Sequence, residues 1–299
     1  MTYRLFEGKE HASTYQKYRF TPPEELKNII LQYLDEKKGR PHGLAVDLGC
    51  GTGQNSRLLA PHFREVVGVD ISECQLEEAR AVAGPSNITY RKGTAEELSF
   101  PDCSVDLLTA ASAAHWFDQS RFLAEAARVL KPRGCVALLG FSDPSTSLRY
   151  QGCGDRLDRL FQEVKQTLLP YTSTRVTLTE GKLEELYSAI PFPDKERQAP
   201  HKPTRTYATA NGSTQNKHGE ATALIERVPV TSSISVRNLV GFIESFSMFQ
   251  GYKKKDPTAA GELLLNTEKR FLEEMGVESP DTEVEQQLEY FCVLASKPG

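Results

Sequence analysis

Asp47, Gly49, Gly51 and Gly53, joined by a second acid at Asp70, are the residues whose types and spacing point most directly to chemistry. The run Leu44-Ala45-Val46-Asp47-Leu48 suits a buried strand, and it breaks into the alternating glycines of a D-x-G-x-G-x-G pattern. Such glycines admit backbone conformations and close approaches that a Cβ forbids, so a ligand is expected against bare backbone. Apolar periodicity resumes at Leu58, Leu59 and Phe63, which makes the turn the entrance to a helix whose first amides point at that ligand. Where a dinucleotide fingerprint requires its third glycine this chain has Gln54, which argues against NAD. Asp70 closes a second strand, Glu65 to Asp70, and stands 17 residues past Gly53. An acid about 20 residues beyond a glycine turn is placed to meet a ribose hydroxyl pair.

A second group follows a strand over Val105 to Ala111: Ser112-Ala113-Ala114-His115-Trp116-Phe117-Asp118, with the single tryptophan of the chain. In doubly wound sheets ligands lie outside the carboxyl ends of strands, so His115 and Trp116 are candidates to face a reacting group. The plainer alternative makes His115 a hydrogen-bonded structural residue and Trp116 a cover for the core, and the residues alone leave both open. The sequence lacks a Walker phosphate loop, a G-x-S-x-G nucleophile elbow and paired histidines at metal-ligand spacing. Its six cysteines show no C-x-x-C spacing and suit small buried hydrophobes, so no metal is expected. Lys253-Lys254-Lys255 reads as a solvated loop.

The elements that must position these groups alternate. Glu24 to Lys37 is an amphipathic helix, Ser72 with Gln75 forms a capping box for a helix to about Ala83, and Ile88 to Arg91 is a third strand. Ser120 to Leu130 is a helix, Lys131-Pro132-Arg133-Gly134 a turn, and Cys135 to Phe141 a fifth strand. Parallel strands with crossover helices follow from that order. Helices are expected over Leu148 to Leu169, Leu183 to Ile190, Val236 to Phe249 and Ala259 to Met275, with strands at Ile225 to Ser235 and Gln287 to Ser296. His201 to Thr222 is polar, without periodicity, and reads as a mobile loop. Residues 1–23 carry Tyr3, Phe6, Tyr15, Tyr18 and Phe20 among charges and are expected to fold over something.

With 36 basic and 40 acidic side chains the net charge is −4, without the basic excess typical of a nucleic-acid binder. No apolar run reaches the 18 or more residues of a membrane span, and no secretory signal is visible. A small-molecule substrate, no nucleic acid, no membrane and a cytoplasmic location are therefore expected; the oligomeric state is not legible.

D-x-G-x-G-x-G followed by Asp70 resembles the class I S-adenosylmethionine-dependent methyltransferases. Ala-His-Trp-Phe-Asp at 114–118, Asp143-Pro144 and Tyr15-x-x-Tyr18-Arg19 are similar, more narrowly, to trans-aconitate methyltransferase-like enzymes. The resemblance implies S-adenosyl-L-methionine as cofactor. Gly49, Gly51 and Gly53 would approach it, Asp47 would order the turn and Asp70 would bind the ribose. Tyr18, Arg19, Ile71, Thr94, Ala95 and Ala111 would complete the cofactor site, and His115 and Trp116 would stand at the catalytic mouth. Thr94 occupies a place where the family often has an acid, so adenine would meet a hydroxyl and the backbone of Thr94 and Ala95.

The implied fold is α/β, a doubly wound, Rossmann-like, mostly parallel seven-strand sheet whose last strand is antiparallel, under a helical cover. Residues 1–299 would form one domain: a lid (1–23), a cofactor-binding core (24–141), a substrate cover (142–222) and the C-terminal part of the sheet (223–299). Methyl transfer to a small molecule, such as a small carboxylic acid at oxygen, is the expected activity. A catalytically silent cofactor-binding protein that acts as an interaction partner is the alternative.

Overall fold

The computed structural model describes residues 8–19, 21–172 and 224–299. Helix α1 (Lys9–Tyr18) and α2 (Glu24–Lys37) precede β1 (Leu44–Leu48), α3 (Gln54–Leu59), β2 (Glu65–Asp70), α4 (Glu73–Ala81), β3 (Ile88–Lys92), β4 (Val105–Ala111), α5 (Gln119–Val129) and β5 (Leu130–Arg149). Then come α6 (Gly154–Leu168), β6 (Leu224–Ser235), α7 (Val236–Glu244), α8 (Ser247–Lys255), α9 (Pro257–Met275) and β7 (Glu283–Ser296). Among the described residues seven strands form one sheet in the order β3-β2-β1-β4-β5-β7-β6. β1 to β5 run parallel, and β7 is antiparallel to both β5 and β6. This bears out the mixed α/β, mostly parallel sheet expected from the strand and helix alternation.

The strands at the centre are apolar on both sides because helices cover both sides. Val46, Leu48, Val67, Leu108 and Leu138 meet Phe122, Ala126 and Val129 of α5. On the opposite face Ala45, Val66, Leu107, Ala137 and Leu294 meet Leu26, Ile30 and Leu34 of α2. A third cluster, including Phe161, Phe242, Phe249 and Phe271, joins α6 to α9 against Leu148, Ile234 and Val284. Helix starts follow their side chains: the oxygens of Asp118, Ser235 and Asp256 accept from the backbone amides of Arg121, Asn238 and Ala259.

Several expected boundaries move. β5 runs on to Arg149 rather than ending at Phe141, because β7 pairs with Ser147, Leu148 and Arg149 beyond a register irregularity. Residues 142–149 thus belong to the sheet, and the helix expected from Leu148 begins at Gly154. The helix expected over 236–249 is two helices, broken where Ser245 Oγ donates to the Phe242 carbonyl. The helix expected at 183–190 and the loop at 201–222 lie outside the described residues.

Candidate active site

The chain leaves β1 through three left-handed glycines, with φ of +60° at Gly49, +53° at Gly51 and +81° at Gly53. An L side chain is strained at each, so the turn requires glycine on conformational grounds alone. Space separates their roles. A Cβ at Gly49 would stand 2.5 Å from that of Ala113, and one at Gly53 would stand 2.2 Å from Tyr90 Oη. Those two glycines admit protein neighbours. At Gly51 the nearest atoms would be Gln75 Oε1 at 3.6 Å and Tyr15 Cε1 at 3.8 Å.

The two acids hold this turn. Asp47 is fully buried and accepts from Asn55 Nδ2 (2.7 Å), Ser56 Oγ (2.6 Å) and Thr109 Oγ1 (2.9 Å). It therefore ties β1 to the first turn of α3 and to β4. Burial pushes its pKa up, while the three hydrogen bonds pull the other way. Asp70 Oδ2 accepts from Gly51 N and its Oδ1 from Ser72 N, both at 2.8 Å. Burial raises this carboxyl too, against those backbone donors. Two acids at neighbouring strand ends thus fix the backbone against which a ligand would rest.

Above the turn lies α1. Tyr15 faces Gly51, Gln54 Nε2 reaches Arg19 O at 3.5 Å, and the Tyr18 ring packs where a Gly241 side chain would stand. Arg19 Nη2 donates to Ser245 O at 3.2 Å. Its guanidinium carbon lies 4.9, 5.3 and 5.4 Å from the ring centroids of Tyr15, Phe242 and Phe246.

Between α1 and the sheet is a cavity with about 640 Å³ of empty space, counted to its open mouth. Of the residues expected at the site, Arg19, Asp47, Gly49, Gly51 and Ala111 line it. Ser112, Leu139, Phe242 and Tyr290 line it as well and were not legible as site residues. Ser112 takes a left-handed φ of +51° just past β4, and Tyr290 comes from β7, far away in sequence. Burial pushes the Tyr290 phenol up to about 12, although the Arg19 charge lowers it.

The remaining expected residues stand outside that lining. His115 and Trp116 occupy a short 3-10 turn with ring centroids 4.9 Å apart. Thr94 is exposed and bridges to Glu97, while Ala95 is buried in the core. Among the described residues, no group of three or more His, Cys, Asp or Glu is placed to hold a metal, and no helix is long and apolar enough to cross a membrane.

The residues present fit a cofactor with a diol and a positive sulfur: Asp70 beside a bare glycine, with aromatic and apolar walls. Residues 46–138 match a family of methyltransferase domains. The chain is 37% identical over 130 residues to a Dictyostelium discoideum protein assigned as a methyltransferase, covering 44% of this chain and 47% of that one. It is 33% identical over 133 residues to the ubiquinone biosynthesis O-methyltransferase of Hahella chejuensis, covering 43% and 56%. The chain spans about half the length of the curated relatives it matches. The fold is similar to a solved structure from Anaeromyxobacter dehalogenans assigned as a type II methyltransferase, with a TM-score of 0.64 at 23% identity over 94% of this chain and 100% of that one. Over residues 46–138 the chain is thus similar to methyltransferase domains.

Proposed function

We propose that the protein transfers a methyl group from S-adenosylmethionine to a carboxylate oxygen of a small acid. The observation that carries the acceptor class is Arg19, the one cation among the described residues lining the cavity. A guanidinium offers a planar pair of donors matched to a carboxylate. The rings of Tyr15, Phe242 and Phe246 around it exclude water and hold it in one orientation.

When bound, S-adenosylmethionine supplies an electrophilic methyl on a positive sulfur and leaves as a neutral thioether. The chain then has only to align two reactants and keep the site dry, for which orientation supplies roughly 7–11 kcal/mol. Gly51 presents bare backbone, Gly49 and Gly53 shape the turn around it, Asp70 takes the ribose, and Ile71, Thr94 and Ala95 flank the adenine. Tyr18 and Arg19 close α1 over the turn. A carboxylate is ionised at neutral pH and needs no base. His115 outside the cavity lining agrees with this. The resemblance to trans-aconitate methyltransferase-like enzymes supports the same acceptor class.

Labelled cofactor incubated with panels of small acids, phenols and amines tests the reading. Label accumulating on acids, and lost in Arg19→Met, is expected; label found only on phenols or amines overturns it.

A further inference from the structure

Gln75 is 2% exposed, and both polar atoms of its side chain lack a hydrogen-bond partner. A buried orphan amide costs free energy unless a partner arrives. The sequence offers that amide a partner of its own. In a capping box Gln75 would reach back to the backbone amide of Ser72, while Ser72 Oγ takes the amide of Gln75. The structure makes only the second bond, Gln75 N to Ser72 Oγ at 3.3 Å. Ser72 N donates instead to Asp70 Oδ1. Asp70 has displaced the Gln75 side chain from its cap.

The freed amide is turned to the ligand side of the turn. Its oxygen ends 3.6 Å from the point where a Gly51 Cβ would stand, and Gly51 N is the amide that Asp70 Oδ2 holds. Asp70 and Gln75 thus converge on one glycine, under Tyr15 of α1. Gln16 on α1, a helix packed against α4, carries a second buried oxygen without a partner. A polar guest with several hydroxyls answers this arrangement. An ionised carboxylate can only accept, whereas a carboxamide both donates and accepts.

We infer that the Gln75 carboxamide is a binding group for the ribose diol of the cofactor, working beside Asp70. Asp70 accepts from a hydroxyl, and the Gln75 amide donates to a ribose oxygen, a contact that a second acid could not make. The inference rests on the cofactor reading above and adds a residue to it.

Calorimetry with S-adenosylhomocysteine and with its 2′,3′-dideoxy analogue, on wild type and Gln75→Leu, tests it. Gln75→Leu is expected to weaken S-adenosylhomocysteine about tenfold and leave the dideoxy analogue unchanged. Without ligand its melting temperature is expected to hold or rise, since an apolar side chain of similar volume replaces an orphan amide. Equal weakening of both ligands, unchanged affinity, or a lowered melting temperature without ligand overturns the inference while leaving the cofactor reading intact. A wild type that binds neither ligand overturns the cofactor reading, and this inference with it.

Discussion

His11 and Arg19 share one acceptor: His11 Nε2 lies 3.1 Å and Arg19 Nη2 3.2 Å from the carbonyl oxygen of Ser245. The start of α1 and the residue just past its end are thereby tied to the break between α7 and α8. Lys253 adds an ion pair to Glu10 on the same helix. Because α1 contributes no strand, the sheet does not depend on it. Deleting residues 1–19 is expected to leave a folded protein that no longer turns over, and His11→Ala to speed amide exchange in α1 without lowering the melting temperature of the core. Full activity in the truncated protein would remove α1 from the mechanism.

Asp70 holds the turn through Gly51 N and Ser72 N, in addition to its proposed role toward the ribose. Asp70→Ala is expected to weaken S-adenosylhomocysteine by roughly 1.5–3 kcal/mol, the range for hydrogen bonds to a charged group, and to lower the melting temperature by freeing Gly51 N and Ser72 N. Asp70→Asn keeps an acceptor and is expected to lose less of both. Calorimetry and thermal unfolding of the two variants check this. Unchanged affinity in Asp70→Ala would move the diol elsewhere.

Asp106 gives the fold a measurable pH dependence. Its carboxylate accepts from Gly43 N and Leu44 N, both at 2.8 Å, and pairs with Lys38 at 2.9 Å and Lys131 at 3.0 Å. Burial pushes this carboxyl up, but Lys38, the Leu44 amide and Lys131 outweigh burial and hold it below the ordinary 3.8. A lowered folded pKa means stability that is fully present above the unfolded value and lost as pH falls through the folded one. Asp106→Ala is expected to cost roughly 3 kcal/mol at pH 7, as for one half of a buried pair removed. Denaturant titrations from pH 7 to pH 2 should show the gap from wild type closing only below about pH 4. A gap constant across that range would contradict the assignment.

The sheet was legible because its strands are apolar runs separated by glycine, proline and capping residues. Of the cavity lining, Asp47, Gly49 and Gly51 were legible because spacing marks a strand-turn-helix, and Arg19 through the resemblance carried by Tyr15-x-x-Tyr18-Arg19. What spacing does not carry is tertiary pairing. Ser142-Asp143-Pro144 reads as the end of β5, yet antiparallel β7 carries the strand on to Arg149. The periodicity of 236–249 reads as one helix, yet Ser245 breaks it and turns its carbonyl to α1. Phe242 and Tyr290 reach the cavity from elements more than 200 residues beyond α1, and no local pattern links them. The Ser72 and Gln75 capping box failed by half because Asp70, two residues earlier, competed for the same amide.

His115 separates two chemistries at one residue. If the acceptor is a carboxylate, His115→Asn is expected to lower the rate modestly, with no titration near the histidine pKa of about 6.5 in the rate profile of either protein. A general base would instead show a loss of ~10²–10⁴-fold and an acid limb that vanishes in the variant. Rate profiles of both proteins between pH 5 and pH 9 decide it.

The most direct test of methyl transfer to a carboxylate is the fate of the transferred group. Product made with methyl-labelled S-adenosylmethionine and a responsive small acid is treated with mild alkali, and volatile label is measured. A methyl ester releases its label as methanol, and that release is the result expected here. Label that survives alkali in the non-volatile product would show an ether, an amine or a carbon acceptor and would contradict the account.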